Sequence, residues 1–336
     1  MTKSSSPEET MDYPIIGKSK ATEDLRKQVA KIAKVQKDIL ITGEPGTGKG
    51  AVAKNIHSEQ YKENGKNQHP FVSVNCSVID DRELEAVLFG FEKGVPGMPP
   101  TTKRGVFELS DNGTVLIEEV EEASFRNQIK ILTFLDERRT KRLGGTSLRT
   151  VNVRVIMTMK QKPEDLLSAN KLYEDFYRKV SLLEAIEIPP LRDRREDIPV
   201  LVKHFVSEIS QDLGIKDVAL DINAIDVLVR HPWRENIREL KAVIDKSVLF
   251  STGGRFALPP ELADEKTEVV KMINNVLSGQ SFVLDNSLDA IEKGIIDRAL
   301  AKFGFNQSRA AHFLGMTEQT LRYKLKRLGI ASARER

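Results

Sequence analysis

The stretch GEPGTGKG, Gly43 to Gly50, decides the fold because it separates the apolar run DILIT from the helix-compatible run AVAKNIH. Glycines let backbone N–H groups close around phosphate oxygens, and the following helix directs the positive end of its dipole at them. A lysine in this position reaches the terminal phosphates of a nucleotide. The stretch therefore predicts a phosphate-binding loop, whose candidate contacts to ATP or ADP are Gly43, Glu44, Pro45, Gly46, Thr47, Gly48, Lys49 and Gly50.

The last residue of this loop departs from the usual pattern. Gly50 stands where phosphate-binding loops place a Ser or Thr whose hydroxyl contacts Mg²⁺. The sequence thus leaves open whether Mg²⁺ accompanies the nucleotide and whether the nucleotide is hydrolysed. The plainer alternative for the whole stretch is a glycine-rich turn without a ligand.

The composition is that of an ordinary globular protein. The chain has 336 residues, of which 40% are hydrophobic and 30% charged, enough for about two or three domains. No apolar stretch approaches the roughly 20 residues of a membrane span, and the start MTKSSSPEET lacks the apolar core of a secretory signal. The single cysteine excludes an intrachain disulfide, and the five histidines lack metal-ligand spacing. We expect a cytoplasmic protein with no membrane partner.

Positive charge is concentrated at the C-terminal end. Residues 304–336 hold seven Lys and Arg against two Glu, a local net charge of +5 in a chain whose total is only +3. Basic charge in a short segment favours an anionic partner, and we expect double-stranded DNA. The alternative is solvated surface charge.

The pattern of apolar residues divides the chain into segments. Up to Pro190, aliphatic runs such as FVSVN and TVLIEEV alternate with helical patterns, which is typical of a parallel sheet covered by helices. Only helical patterns follow. Since a polar tail alone precedes the first domain, we expect control to act in trans or through the domains present. The expected segments are a disordered tail (1–12), an α/β nucleotide-binding domain (13–190), a helical lid (191–252), a linker (253–283) and a helical DNA-binding domain (284–336).

In this order, the landmarks resemble those of the sigma-54-dependent AAA+ transcription activators, the bacterial enhancer-binding proteins. The resemblance extends over residues 13–252, with a Fis-type helix-turn-helix behind it. It implies an α/β AAA+ P-loop domain with a parallel sheet, a small helical lid domain and a C-terminal all-α helix-turn-helix domain. The matching stretches are GEPGTGKG, FVSVNCS, LFGFEKG, GVFELSDNGTVLIEE, RLGG, VNVRVI, PPLRDRREDIP and PWRENIREL.

Residue chemistry and the resemblance agree at the end of TVLIEEV. Glu118 and Glu119 end an apolar strand, where carboxylates are placed to hold Mg²⁺ and a water beside phosphate. In the family this is the Walker B site, in which an Asp precedes the Glu, so Glu118 is one methylene longer than the family residue. Both are candidate Mg²⁺ ligands, and Glu119 is a candidate catalytic residue. The alternative is two surface carboxylates at a strand end.

The resemblance assigns roles to two further residues. Asn75 matches the residue that holds the catalytic glutamate until the site is engaged, and it is our second catalytic candidate. Arg238, in NIREL, matches the lid arginine that contacts bound nucleotide. An ordinary surface arginine on a helix is the alternative for Arg238.

Other functional positions of the family have lost their chemistry. The sensor asparagine falls at Lys160, and the two arginine fingers fall at Tyr173 and Lys179, with Arg178 one place out of register. An arginine finger supplies roughly 10³–10⁵ in rate in GTPases, and neither Tyr nor Lys has its planar charged fork. The sigma-54-contacting motif GAFTGA aligns with GVPGMP at 94–99, where two prolines fix backbone dihedrals. We expect hydrolysis to be weak or absent and sigma-54 remodelling to be lost.

The stretch NQSRAAHFLGMTEQTLRYKLKRLGI predicts two helices joined by a turn at Gly315, the helix-turn-helix layout. Leu321, Leu325 and Leu328 share one face of the second helix and are expected to pack. A helical dimerisation module is the alternative, and the resemblance implies a homodimer through SLDAIEKGIIDRALAKF. The candidate DNA contacts are Thr317, Gln319, Arg322, Tyr323, Lys324, Lys326 and Arg327.

The function expected from the sequence is DNA-binding transcriptional regulation with a degenerate nucleotide-binding domain. Two alternatives remain. One is an active sigma-54-dependent ATPase, assembled as an AAA+ ring. The other is an interaction partner that forms hetero-oligomers with related activators and modulates them.

Overall fold

The chain divides into two units, Met1–Pro259 and Pro260–Arg336. The computed structural model describes residues 14–62, 69–214, 222–249 and 306–328, with ten single positions between 251 and 303. The predicted tail at 1–12 and nearly all of the predicted linker at 253–283 lie outside the described residues.

The secondary structure of the larger unit alternates between strands and helices. Its described strands are β1 (Ile39–Thr42), β2 (Phe71–Asn75), β3 (Gly90–Phe91), β4 (Lys103–Arg104), β5 (Thr114–Glu118), β6 (Arg139–Thr140), β7 (Arg149–Thr150), β8 (Arg154–Met159) and β9 (Glu184–Glu187). Its described helices are α1 (Lys20–Ala33), α2 (Lys49–Gln60), α3 (Asp81–Phe89), α4 (Val106–Leu109), α5 (Phe125–Glu137), α6 (Pro163–Ser168), α7 (Glu174–Val180), α8 (Ile198–Leu213), α9 (Ile222–Arg230) and α10 (Asn236–Leu249). The smaller unit contains α11 (Gln307–Phe313) and α12 (Glu318–Arg327).

Five strands form one parallel sheet in the order β2-β5-β8-β1-β9. Thr42 pairs with Met159, and Asn75 pairs with Glu118, so the last residues of these strands lie along one edge. The phosphate-binding loop and the strand-end carboxylates therefore leave the sheet at the same edge. The predicted α/β fold with a parallel sheet is confirmed.

Each face of the sheet has its own hydrophobic core, because successive side chains of a strand point to opposite faces. In β5, Val115 and Ile117 belong to the core shared with α3, α4, α5 and α7. Leu116, between them, belongs to the core formed with α1 and α2. All three side chains are buried, and helices on both faces explain the uninterrupted apolar runs of the sequence.

The helices α8, α9 and α10 form the lid that follows the last strand. Trp233, between α9 and α10, is fully buried, and its indole N–H donates to the carbonyl of Leu228 at 2.7 Å. Among the described residues, no helix combines the length and apolar character that crossing a membrane requires.

Asp197, just before α8, joins the lid to the beginning of the fold. Its buried carboxylate accepts hydrogen bonds from the backbone N–H of Lys18 (2.6 Å) and Ser19 (2.6 Å) and from the hydroxyls of Ser19 (2.9 Å) and Thr22 (2.5 Å). Ser19 is also the N-cap of α1. One carboxylate thus fixes the start of α1 against the base of the lid.

We expect Asp197→Ala to lower the free energy of unfolding of the larger unit by about 3 kcal/mol, since it leaves buried donors without an acceptor. Urea denaturation followed by the fluorescence of Trp233, the single tryptophan, measures this. Asp193→Ala, at an exposed aspartate, is the control and is expected to change stability by less than about 0.5 kcal/mol. Equal effects of the two substitutions would contradict the structural role of Asp197.

Candidate nucleotide site and helix-turn-helix

The loop between β1 and α2 has the backbone that phosphate binding requires. Gly46 and Gly48 have φ of 75° and 101°, in the left-handed region that favours glycine. A Cβ at Gly46 would lie 2.0 Å from the carbonyl oxygen of Glu235, so the lid itself excludes a side chain there. Lys49 begins α2, and its ammonium donates to the carbonyls of Gly43 (2.5 Å) and Glu44 (3.0 Å). Burial lowers the pKa of Lys49.

A cleft of about 500 Å³ opens between this loop, the edge of the sheet and the lid. That volume is within the range of small-ligand sites. Gly43, Glu44 and Thr47 belong to the loop without lining the cleft. Those lining residues that the sequence predicted are Pro45, Gly46, Gly48, Lys49, Gly50, Asn75, Glu118, Glu119 and Arg238.

Other lining residues were not predicted: they are Thr158, Ile237, Lys241, Ala242 and Asp245. Three of them follow Arg238 on α10 at offsets of three, four and seven residues, the spacing of one helix face. That spacing was available in the sequence once Arg238 was placed at the cleft.

The lid holds the phosphate-binding loop directly. Arg192 forms a bidentate ion pair with Glu44, at 2.5 and 2.7 Å, and the hydrogen bond from Arg192 is the main cause that lowers the pKa of Glu44. The buried carboxamide of Asn236 donates to the Glu44 carboxylate (3.2 Å) and to the carbonyl of Pro45 (2.9 Å). The backbone N–H of Ile237 donates to the carbonyl of Gly46 at 2.9 Å.

Glu118 and Gly50 face each other across the cleft. Glu118 is the last residue of β5 and Gly50 the second of α2. The carboxylate Oε2 of Glu118 lies 3.5 Å from the position that a Cβ of residue 50 would occupy. Burial, followed by the neighbouring charge of Glu119, raises the pKa of Glu118.

Glu119 is engaged by Lys160, which stands just after β8. The Lys160 ammonium lies 2.9 Å from Glu119 Oε2 and 3.0 Å from Glu122 Oε1. The backbone N–H of Lys160 donates to Glu121 at 2.8 Å. Burial acts to raise the pKa of Glu119, but hydrogen bonds from Lys160 and Ser77 outweigh it and hold that pKa below its ordinary value.

Asn75 pairs with Glu118 in the sheet register and lines the cleft. Its side-chain oxygen accepts hydrogen bonds from the backbone N–H and the hydroxyl of Ser77, both at 2.8 Å. The described ion pair of Glu119 is therefore with Lys160, while the carboxamide oxygen of Asn75 is engaged by its own loop.

The positions aligned with arginine fingers are also engaged within the chain. Lys179 pairs with Asp136 at 2.5 Å, and Arg178 pairs with Glu174 on its own helix. The backbone N–H of Tyr173 donates to Gln128. The segment GVPGMP lies between β3 and β4 and contains a turn in which the N–H of Met98 donates to the carbonyl of Val95 at 3.1 Å.

The smaller unit has the predicted helix-turn-helix. Gly315, with φ of 67°, lies in the turn, and Thr317 caps α12 by accepting from the backbone N–H of Thr320 at 3.2 Å. Leu321 and Leu325 are buried in its core, with Leu328 packed against them. The exposed candidates on this unit are Thr317, Gln319, Arg322, Tyr323, Lys326 and Arg327.

Two basic residues of α12 face the preceding helical segment rather than solvent alone. Lys324 and Arg327 both form ion pairs with Glu292. Arg322 pairs with Glu318 one turn earlier, at 2.5 Å. Among the cations proposed for DNA contact, the side chains thus differ in how far acidic neighbours already engage them.

Comparison with known proteins matches all three parts of the chain. Residues 15–186 match the Sigma-54 interaction domain, 192–271 the AAA+ ATPase lid domain, and 287–328 the Fis family of bacterial regulatory proteins.

Full-length relatives extend the match. The regulatory protein AtoC of Escherichia coli is 33% identical over 95% of this chain and 68% of its own length. The transcriptional activator RocR of Bacillus subtilis is 30% identical over 99% of this chain and 72% of its own length. Crystal structures of NtrX from Brucella abortus cover 94% of this chain and 69% of theirs, with a TM-score of 0.68 and 31% identity. Two further NtrX structures contain ATP and ADP.

The parallel sheet, P-loop, lid and helix-turn-helix define an ATP-binding AAA+ transcriptional regulator. The chain belongs to the sigma-54-dependent family of bacterial DNA-binding transcriptional regulators.

We expect Asn236→Ala to weaken ADP binding by at least about tenfold, because it removes two hydrogen bonds that order the phosphate-binding loop and leaves the N–H of Leu191 without its acceptor. Asn236 has φ of 56°, which Asn tolerates better than Ala. Calorimetric titration with ADP measures the effect, with Arg234→Ala at an exposed neighbour as control. An affinity within twofold of the wild type would show that the lid does not order the loop.

Proposed function

We propose that this protein is a DNA-binding transcriptional regulator whose AAA+ domain holds ATP or ADP with little or no hydrolysis and does not remodel the sigma-54 holoenzyme. The observation that carries the proposal is the ion pair between Lys160 and Glu119. In this account nucleotide acts as a structural ligand, and the DNA-binding unit produces the regulatory output.

Glu119 is the residue placed to activate the attacking water. A general base needs a free carboxylate oxygen within hydrogen-bond reach of that water. Here one oxygen of Glu119 accepts from an ammonium that also bridges to Glu122. Lys160 therefore competes with water for the base, and the second carboxylate helps to keep the lysine in place.

The neighbouring subunit of an assembled ring has little to add. A finger acts by placing a planar cation on the transferring phosphate, and the aligned Tyr173 is uncharged. The aligned Lys179 is paired with Asp136, and Arg178, one place out of register, is paired with Glu174. Both features support arrested hydrolysis in an assembly of identical chains.

The segment GVPGMP supports the absence of sigma-54 remodelling. Gly94 and Gly97 have positive φ, and Pro96 and Pro99 fix φ beside them, so the backbone of this turn has few alternative conformations. The segment carries no aromatic side chain. A loop that must change shape with nucleotide state is poorly served by these residues.

Nucleotide binding itself is supported by the cleft and by the NtrX structures that contain ATP and ADP. A ligand that binds only the folded state stabilises it by mass action. Because Arg192, Asn236 and Ile237 contact the loop, nucleotide binding would fix the lid as well as the sheet domain. Mg²⁺ would neutralise phosphate charge in the bound complex.

The helix-turn-helix supports binding to double-stranded DNA through α12. We assign Gln319 and Arg322 to base edges and Lys326 to phosphate, since all three are exposed on one face. Thr317 and Tyr323 are further contacts, whereas Lys324 and Arg327 contribute less because they share Glu292. Binding as a homodimer to a two-fold site, in the cytoplasm, is part of the proposal, as are ring or mixed assemblies with related activators.

We expect ATP to bind the wild type but not Lys49→Ala, and steady-state hydrolysis by the wild type with Mg²⁺ to be no faster than that of Lys49→Ala. The reason is that Lys49 contacts phosphate while Lys160 occupies the base. Phosphate release at high protein concentration and an ATP titration measure the two properties. Lys49-dependent turnover on the order of 1 s⁻¹, a value typical of working enzymes, would instead indicate an active sigma-54-dependent ATPase.

For DNA binding, Lys326→Ala is expected to weaken affinity for a mixed-sequence duplex and to lower the salt dependence of log Kd by about 0.9, the value for one phosphate contact. Lys324→Ala is the matched control, because its ammonium is paired with Glu292. Fluorescence anisotropy over a series of salt concentrations measures both slopes. The assignment fails if Lys324→Ala lowers the slope as much as Lys326→Ala.

A further inference from the structure

Gly50 is a residue that the backbone does not explain. It is the second residue of α2, and glycine is the least favourable residue within a helix apart from proline. Its φ is not among the positive values found at other glycines, so no left-handed conformation requires it. What glycine provides here is open space beside the Glu118 carboxylate, 3.5 Å from the position of an added Cβ.

Glu118 departs from the usual pattern in the complementary direction. Its side chain is one methylene longer than the Asp that usually ends this strand, and it extends toward α2. A hydroxyl at position 50 and a short carboxylate at position 118 are replaced by no side chain and a long carboxylate. The two changes meet at one point of the cleft, which both residues line.

The residues present fit a magnesium ion bound together with nucleotide phosphates. Mg²⁺ is usually held by one or two carboxylates with phosphate oxygens and water, rather than by a cage of protein ligands. In the described part of the chain, no group of three or more His, Cys, Asp or Glu is placed to bind a metal alone. The Glu118 carboxylate beside the start of α2 meets the first requirement.

We infer that Gly50 and Glu118 form one functional unit, in which the glycine leaves room for the longer carboxylate and Glu118 supplies the Mg²⁺ ligand that a hydroxyl at position 50 supplies elsewhere. The inference rests on the proposed binding of nucleotide. It makes the contribution of Glu118 depend on residue 50 and on side-chain length.

Replacing Glu118 by Asp withdraws the carboxylate by about 1.5 Å, one carbon–carbon bond. Glu118→Asp should therefore lose the tightening of ADP binding by Mg²⁺. Gly50→Ser alone places a side chain against the Glu118 carboxylate and should not strengthen Mg²⁺ binding. The double variant Gly50→Ser, Glu118→Asp restores the usual pair of ligands and should regain what Glu118→Asp loses.

The experiment is a titration of the full-length protein with ADP, in Mg²⁺ and in excess chelator, for the wild type and these three variants. Electron paramagnetic resonance of Mn²⁺ with ADP reports metal occupancy independently of hydrolysis. Glu187→Asp, at an exposed strand end outside the cleft, is the matched control. Melting curves verify that every variant is folded.

We expect Mg²⁺ to lower the Kd for ADP by about tenfold in the wild type, the control and the double variant, and by less than about twofold in Glu118→Asp. Glu118→Asp behaving as the wild type, or the double variant behaving as Glu118→Asp, would overturn the inference. Failure of the wild type to bind ADP at all would instead overturn the proposed nucleotide binding on which it rests.

Discussion

The shared edge of the parallel sheet is the constraint on which the rest of the structure depends. Parallel strands end on the same side, so β1, β2, β5 and β8 deliver their following residues to one place. The phosphate-binding loop, Asn75, the carboxylates after β5 and Lys160 are neighbours for this reason. The two buried cores on either side of the sheet hold that edge in position.

The lid extends this arrangement from a single edge to a cleft. Glu44, at the tip of the phosphate-binding loop, is held by Arg192 and Asn236, which come from opposite ends of the lid sequence. The same contacts place Arg238 and the face of α10 over the loop. A nucleotide in this cleft would touch both parts. Arrested hydrolysis is compatible with such a role, because binding alone is enough to couple lid and sheet.

The sequence was sufficient for the fold and for most of the cleft. Periodicity and strand-end chemistry placed Lys49, Glu118 and Glu119 correctly, since backbone topology alone determines where they lie. It did not yield the pairs Lys160–Glu119 and Lys324–Glu292, because ion pairing depends on side-chain conformers and on distances between remote segments. The alignment showed Lys160 only as a missing asparagine. The structure shows what the lysine does instead.

A crystal structure of the protein with ATP and Mg²⁺ tests the central claim most directly, through the distance between the Lys160 ammonium and the Glu119 carboxylate. The account predicts that the pair persists at about 3 Å with nucleotide bound, within hydrogen-bond range. The contradicting result is Glu119 released from Lys160 and turned toward Asn75 or toward a water in line with the terminal phosphate. That arrangement would describe a working ATPase.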